Sequence, residues 1–290
     1  MSAPDPTIRP RRSALYLPAS NARALEKARS LACDVVILDL EDAVAPEQKA
    51  SARDAAVAAV QGGGFGHREL VVRANALDTE WGADDLAALA AAGPDALLLP
   101  KVSDVDTLRA ARRALGNGIP LWAMVETARG VVNLTDIVDA AGEVGLAALV
   151  VGTNDLAKEL RCRPGATRAP LLPILSQVVV AARMAGLVAL DGVINVLDDE
   201  AAIEAECAQG LEWGFDGKTL IHPAQIAPAN RVFTPTAEEV AWAETIVTAF
   251  DVPEHAARGA IRVEGKMVER LHLEEARRTI AIAAAVQARQ

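Results

Sequence analysis

LWAMVETARG, residues 121–130, runs apolar through Val125 and then sets Glu126 where the chain turns. A run without polar alternation is covered on both faces, the condition of a strand inside a parallel sheet. A carboxylate at its tip then lies at the end of the sheet, where a cation, an arginine or a metal can pair with it. The pattern recurs outward in both directions, as SALYLP (13–18), DVVILDL (34–40), ELVVRA (69–74), ALLLPK (96–101), LAALVVG (146–152), VALDGVI (188–194) and GKTLIH (217–222). With PLWAMVE (120–126), eight such runs alternate with longer helix-forming segments such as NARALEKARSLA (21–32) and DVDTLRAARRAL (104–115). Asn21 and Asp104 stand where helix N-caps belong. Repeated βα units of this number predict a (β/α)8 TIM barrel over residues 1–227, with its active site at the C-terminal strand ends; a doubly wound open sheet is the alternative.

After His222 the pattern changes. Residues 236–251 and 273–288 read as helices, and HAARGAIRVEGKMVE (255–269) between them as a glycine-punctuated loop or short hairpin. Residues 228–290 thus form a C-terminal helical extension that a barrel does not need.

Composition narrows the function. The chain has 290 residues, 51% of them hydrophobic, and a formal net charge of −10. That acidity argues against nucleic acid or an anionic membrane as partner. No stretch approaches the length of a membrane span, and the N-terminus lacks the apolar core of a signal peptide, so a soluble, unprocessed cytoplasmic protein is expected. Three cysteines (Cys33, Cys162, Cys207) without a CxxC indicate neither a disulfide framework nor a thiolate zinc site.

The polar residues at the expected strand tips are Asp39, Glu41, Asp42, Arg73, Lys101, Glu126, Asp155 and His222. Glu126 and Asp155 end neighbouring strands, about 4.8 Å apart in a parallel sheet, so together they can hold one hard cation, Mg²⁺ or Mn²⁺. The plainer reading is that each caps a helix. Arg73 ends an apolar strand, where its guanidinium can grip a carboxylate or a developing oxyanion, or simply pair with Asp39 or Glu41. The three carboxylates of LDLEDAV (38–44) repel one another unless cations neutralise them, which suits Asp39, Glu41 and Asp42 to supporting the groups that touch metal and substrate, with Lys101 beside them. His222, ahead of the proline-initiated turn of IHP, reads either as a member of the site or as a core histidine making one hydrogen bond.

Taken together, RRSALYLPASN (11–21), DVVILDLEDAV (34–44), VVRAN (71–75), ALLLPKV (96–102), MVETARG (124–130), VVGTNDL (150–156) and DGKTLIHPAQI (216–226) resemble the citrate lyase β-subunit-like family of acyl-CoA C–C lyases. The resemblance implies Mg²⁺ on Glu126 and Asp155 and Arg73 against the reacting substrate. It also implies a homotrimer or homohexamer whose C-terminal lid closes over a neighbour's site. Within the lid-like GKMVERLHLEEARR, Glu269 stands where the family carries an acid/base aspartate. The expected reaction is Mg²⁺-dependent cleavage of a malyl-CoA or citramalyl-CoA type 3-hydroxyacyl-CoA thioester to acetyl-CoA or a homologue plus a 2-oxoacid. A malyl-CoA-type thioesterase and a citrate lyase β-subunit that works only within a complex are the alternatives. Coenzyme A would need a local basic mouth, for which Arg12, Arg23, Lys27 and Lys49 are available.

Overall fold

The computed structural model describes residues 9–255 and 258–289. Its centre is a closed barrel of eight parallel strands in sequential order: β1 Ser13–Pro18, β2 Val35–Asp39, β3 Glu69–Arg73, β4 Ala96–Leu99, β5 Leu121–Val125, β6 Leu146–Val151, β7 Val188–Asp191 and β8 Gly217–Leu220. Each of the eight expected runs contains one of these strands, and the closure of β1 onto β8 disposes of the open-sheet alternative. Asn21 and Asp104 cap the helices that follow β1 and β4, accepting from Ala24 and Thr107 N–H at 3.0 Å each.

Strand parity sorts the side chains. Ala14, Val35, Ile37, Val71, Leu98, Trp122, Met124, Val150 and Leu190 form the cluster inside the barrel. Their alternate neighbours, such as Leu15, Val36, Val72, Leu97, Ala123 and Leu149, pack outward with the helices. This alternation of two apolar sets is why the strand runs lack a polar face. At the N-terminal end, Arg11 grips Glu69 through Nε (2.6 Å) and Nη2 (2.8 Å), and its guanidinium lies 5.3 Å from the Trp122 ring centroid. The barrel floor is therefore closed by a neutralised ion pair on an indole.

The described residues divide into two compact units. One is Arg11–Phe233; the other comprises Arg9, Pro10 and the described part of Thr234–Gln290. In the second unit, helices Ala237–Phe250 and Arg270–Gln287 pack with an antiparallel hairpin, β9 Ala260–Val263 and β10 Lys266–Glu269. Its own apolar cluster includes Ile246, Phe250, Ile261, Val263, Val268 and Leu273. The loop-or-hairpin segment is thus a hairpin in its described part.

All three cysteines are free; Cys33 and Cys207 are buried, and burial pushes each thiol up to about 11. Among the described residues no helix is long and apolar enough to cross a membrane.

Candidate active site

The parity that buries Ile37, Val71 and Met124 inside the barrel turns the next inward positions, Asp39, Arg73 and Glu126, into a polar layer at the C-terminal end. Beneath it stand Tyr16 of β1 and Met124 of β5. Arg73, 7% exposed, donates from Nε and Nη2 to the two oxygens of Asp39 at 2.7 and 2.6 Å. Its Nη1 lies 2.9 Å from Glu41 Oε2 and 3.3 Å from Asp42 Oδ2, and its guanidinium carbon 4.9 Å from the Tyr16 ring centroid. Burial works against this charge, but the Asp39 carboxylate more than offsets it and holds Arg73 protonated. The ion pairs foreseen for Arg73 are present, and they fix its plane.

The acidic loop after β2 is folded around its charges. Asp39 accepts from the N–H groups of Glu41 (2.9 Å) and Ala43 (3.0 Å), and Lys49 Nζ donates to the carbonyls of Leu40 (2.8 Å) and Glu41 (2.7 Å). Lys49 is 6% exposed, and burial lowers its pKa. It pins this loop and is not available to a coenzyme at the mouth. Arg12 is likewise committed: it precedes β1, at the N-terminal barrel end, and grips Asp34 through Nε (2.7 Å) and Nη2 (2.8 Å). Arg23 and Lys27 remain exposed on helix Ala22–Ala28.

Glu126 is 1% exposed. Its Oε1 accepts the main-chain N–H of Lys101 at 2.7 Å, and its Oε2 has no hydrogen-bond partner. Lys101 reaches this position in a left-handed conformation, φ 53°, while its ammonium pairs with Glu41. Burial first, and the Glu41 charge second, push the Glu126 carboxyl up to about 7. Burial also raises Glu41, against the pull of Arg73. The orphaned Oε2 is turned toward β6. Glu126 follows Val125, which pairs with Val151, and a Cβ built on the adjoining Gly152 would come within 2.4 Å of that oxygen.

Helix Thr153–Glu159 begins directly after Gly152 and carries Asp155, half-buried, in its first turn. Helix capping explains neither carboxylate. Thr127, not Glu126, caps the helix after β5 by accepting from Gly130 N–H at 3.0 Å, and no side chain caps the helix after β6. His222 is not a core histidine. It is exposed, and its Nδ1 accepts from Ala224 N–H at 3.2 Å to cap the turn after β8. Glu269 lies in the second unit at the start of helix Arg270–Gln287, where its N–H donates to His272 Nδ1 at 2.9 Å.

The donor set suits a hard divalent cation. A buried carboxylate oxygen without a partner is costly, and a cation beside it removes the cost while returning Glu126 to its charged form. Among the described residues no group of three or more His, Cys, Asp or Glu side chains is arranged as a metal site.

Two residues here escaped the sequence reading, Tyr16 and Met124, and a third, Lys49, was expected only as a candidate for coenzyme A and not as the residue that pins the acidic loop. An aromatic and a methionine in apolar strands carry no signal that separates a site floor from a core, and Lys49 stands in an ordinary helical pattern.

Comparison with known proteins places this barrel. The chain is 48% identical over 279 residues to the (3S)-malyl-CoA thioesterase of Cereibacter sphaeroides strain KD131, with 96% of each covered. It is 30% identical over 295 residues to human mitochondrial citramalyl-CoA lyase, covering 96% of this chain and 87% of that one. The crystal structure of CitE from Mycobacterium tuberculosis in complex with magnesium, acetoacetate and coenzyme A superposes with a TM-score of 0.77 at 31% identity, covering 96% of this chain and 99% of that one. Residues 12–223 match the model of the HpcH/HpaI aldolase/citrate lyase family, and with the barrel and these relatives they establish that the chain belongs to that family.

Proposed function

We propose that the chain is a Mg²⁺-dependent carbon–carbon lyase that cleaves a 3-hydroxyacyl-CoA thioester of the malyl or citramalyl type to acetyl-CoA or a homologue and a 2-oxoacid. The observation that carries the reading is Glu126, buried at a barrel strand end with one oxygen unpartnered and turned toward the strand that leads to Asp155. Those two carboxylates would hold the cation, with Mn²⁺ an acceptable replacement. Magnesium, when bound, supplies Lewis acidity to the keto and carboxylate oxygens of the 2-oxoacid and to the hydroxyl oxygen of the thioester.

The chain's own residues account for the rest. Loss of the 3-hydroxyl proton lets the C–C bond break, its electron pair passing into the thioester as an enolate while the hydroxyl carbon becomes the 2-oxoacid carbonyl. Arg73, fixed in plane by Asp39, stabilises the enolate oxygen. Glu269, brought by the C-terminal extension of a neighbouring copy in a homotrimer or homohexamer, relays the proton that ends on the acetyl methyl carbon. Asp39, Glu41, Asp42 and Lys101 hold Arg73 and Glu126 in place.

A specific observation favours a second reading, hydrolysis of the thioester: the relative 48% identical over nearly the whole chain is named a thioesterase. Purified protein alone, given (3S)-malyl-CoA and citramalyl-CoA with Mg²⁺, decides between them. A 2-oxoacid and an acyl-CoA without free thiol establish the lyase, and free CoA thiol with the hydroxydicarboxylate establishes the thioesterase. No turnover of either CoA thioester by the isolated chain refutes both and points to a subunit that works within a citrate lyase complex. The shared site has its own test. Mixing inactive Glu269→Ala and Glu126→Gln proteins under subunit exchange restores partial activity, and an inactive mixture with demonstrated exchange refutes it.

A further inference from the structure

The helix that carries Asp155, Thr153–Glu159, has only seven residues and no side-chain cap at its start. A helix so short has little stability of its own, so its place is set by whatever holds its two ends. At the leading end Thr153 is buried against Gly192, the first residue after β7. A Cβ built on Gly192 would come within 2.6 Å of Thr153 Cγ2 and 2.7 Å of its Oγ1. Gly192 is itself held on both sides: its N–H donates to Asp191 Oδ1 at 2.8 Å, and its carbonyl accepts from Lys218 Nζ. At the trailing end the chain runs through residues 160–167 to Arg168. There the Arg168 Nη1 grips the same carboxylate, 2.7 Å from Asp191 Oδ1 and 2.8 Å from Oδ2.

Asp191 and Lys218, both 0% exposed and 2.9 Å apart, would neutralise one another without help. Arg168 joins them at a cost. It takes up a left-handed backbone, φ 53°, and leaves its own Nη2 buried without a hydrogen-bond partner. Buried ion networks contribute little net stability, and their better-attested use is to specify one arrangement over others. Burial works against the Asp191 charge, but Lys218 and Arg168 more than offset it and hold the carboxyl below its ordinary range. One charged anchor on the barrel wall thus fastens both ends of the segment that presents Asp155.

We propose that Arg168 and Asp191 are positioning residues for Asp155: they touch neither metal nor substrate, and set where the Asp155 carboxylate lies relative to Glu126. The proposal rests on the reading of Asp155 as a metal ligand. Its test is calorimetric titration of metal-free, full-length protein with Mg²⁺, well below the thermal midpoint of each variant. Arg168→Asn withdraws the guanidinium, suits the left-handed backbone and leaves Asp191 its Lys218 partner. Gly192→Ala removes no charge and presses on Thr153 at the other end, its new Cβ also 2.9 Å from Val151 O. Arg183→Gln is the control, because it cuts the 2.9 Å ion pair to Asp216 ahead of β8, at the N-terminal end of the barrel.

The expected result is a Kd for Mg²⁺ raised about tenfold or more in both Arg168→Asn and Gly192→Ala, the usual effect of disturbing the support of a metal ligand. Arg183→Gln should lower the thermal midpoint and leave that Kd unchanged, which separates positioning from general loss of stability. A folded Arg168→Asn or Gly192→Ala protein with the wild-type Kd overturns the assignment, and so does an equal loss of affinity in Arg183→Gln. Should one of the two variants not fold, the other decides. Wild-type protein that binds no Mg²⁺, or Asp155→Asn protein that binds it as the wild type does, rejects Asp155 as a ligand and this assignment with it.

Discussion

Replacing Gly152 by alanine adds one methyl group at the seam between β5 and β6. The backbone there, φ −98° and ψ 79°, accepts an L-residue, so Glu126 is what stands in the way. The new Cβ would lie 2.4 Å from Glu126 Oε2, 2.5 Å from its Cβ and 3.2 Å from its Cδ. The oxygen can swing aside by rotation about the side chain, but the Glu126 Cβ is fixed to the main chain, so a strand must shift as well. Overpacking of this kind costs about 1–3 kcal/mol. At roughly 2–4 °C per kcal/mol for a domain of this size, the midpoint falls by about 2–12 °C. Turning Oε2 away from β6 also spoils the carboxylate pair, and disturbed support of a metal ligand costs about 10- to 100-fold in affinity. Thermal unfolding in EDTA reads the first effect and Mg²⁺ calorimetry the second. Gly142→Ala is the control, because that helical glycine has nothing within 4 Å of its built Cβ and alanine there should be neutral or slightly stabilising. A Gly152→Ala protein with wild-type midpoint and wild-type Mg²⁺ affinity would refute the placement of Glu126 against β6.

In EDTA, Glu126 makes stability depend on pH. Its carboxyl is raised from 4.5 to about 7, so the folded state binds the proton more tightly and stability present at low pH is lost as pH rises across that window, by roughly 3 kcal/mol in all. Glu126→Gln, neutral at every pH, should remove that loss in urea unfolding compared at pH 5 and pH 8; identical pH dependence in both proteins would contradict it. Arg73→Lys keeps a charge but loses the two-pronged grip on Asp39, and kcat should fall by about 100-fold with Mg²⁺ affinity retained. Near-normal turnover would reduce Arg73 to an ion-pair partner.

The barrel was legible because each strand run is apolar on both faces and each helix is bounded by recognisable caps. The site was legible only where a charge breaks such a run, and that signal is ambiguous without register. Asp191 interrupts the seventh strand much as Arg73 interrupts the third, at the same end of the barrel. It follows inward-facing Leu190, however, and so turns outward, where it is fully buried with Lys218 at 2.9 Å and Arg168 at 2.7 Å. Its Oδ2 would lie 3.0 Å from a Cβ on Gly210 of helix Glu200–Glu212, which makes this charge part of the strand–helix packing. One residue of parity separates a charge that faces the candidate site from one that belongs to the strand–helix packing. Tyr16 shows the converse, since nothing in SALYLP distinguishes a phenol at the floor of a site from one in a core.

The thiols described above have a practical consequence. The thiolate is the form that attacks a maleimide, and with their thiols held near 11 in the protein interior Cys33 and Cys207 supply almost none of it at neutral pH. Cys162 is half-buried, in the segment just beyond the helix that carries Asp155. A single fluorophore can therefore be placed at Cys162 of the native chain without engineering. The same reagent, added in urea, counts the two remaining sulfurs as they emerge and times the opening of the barrel.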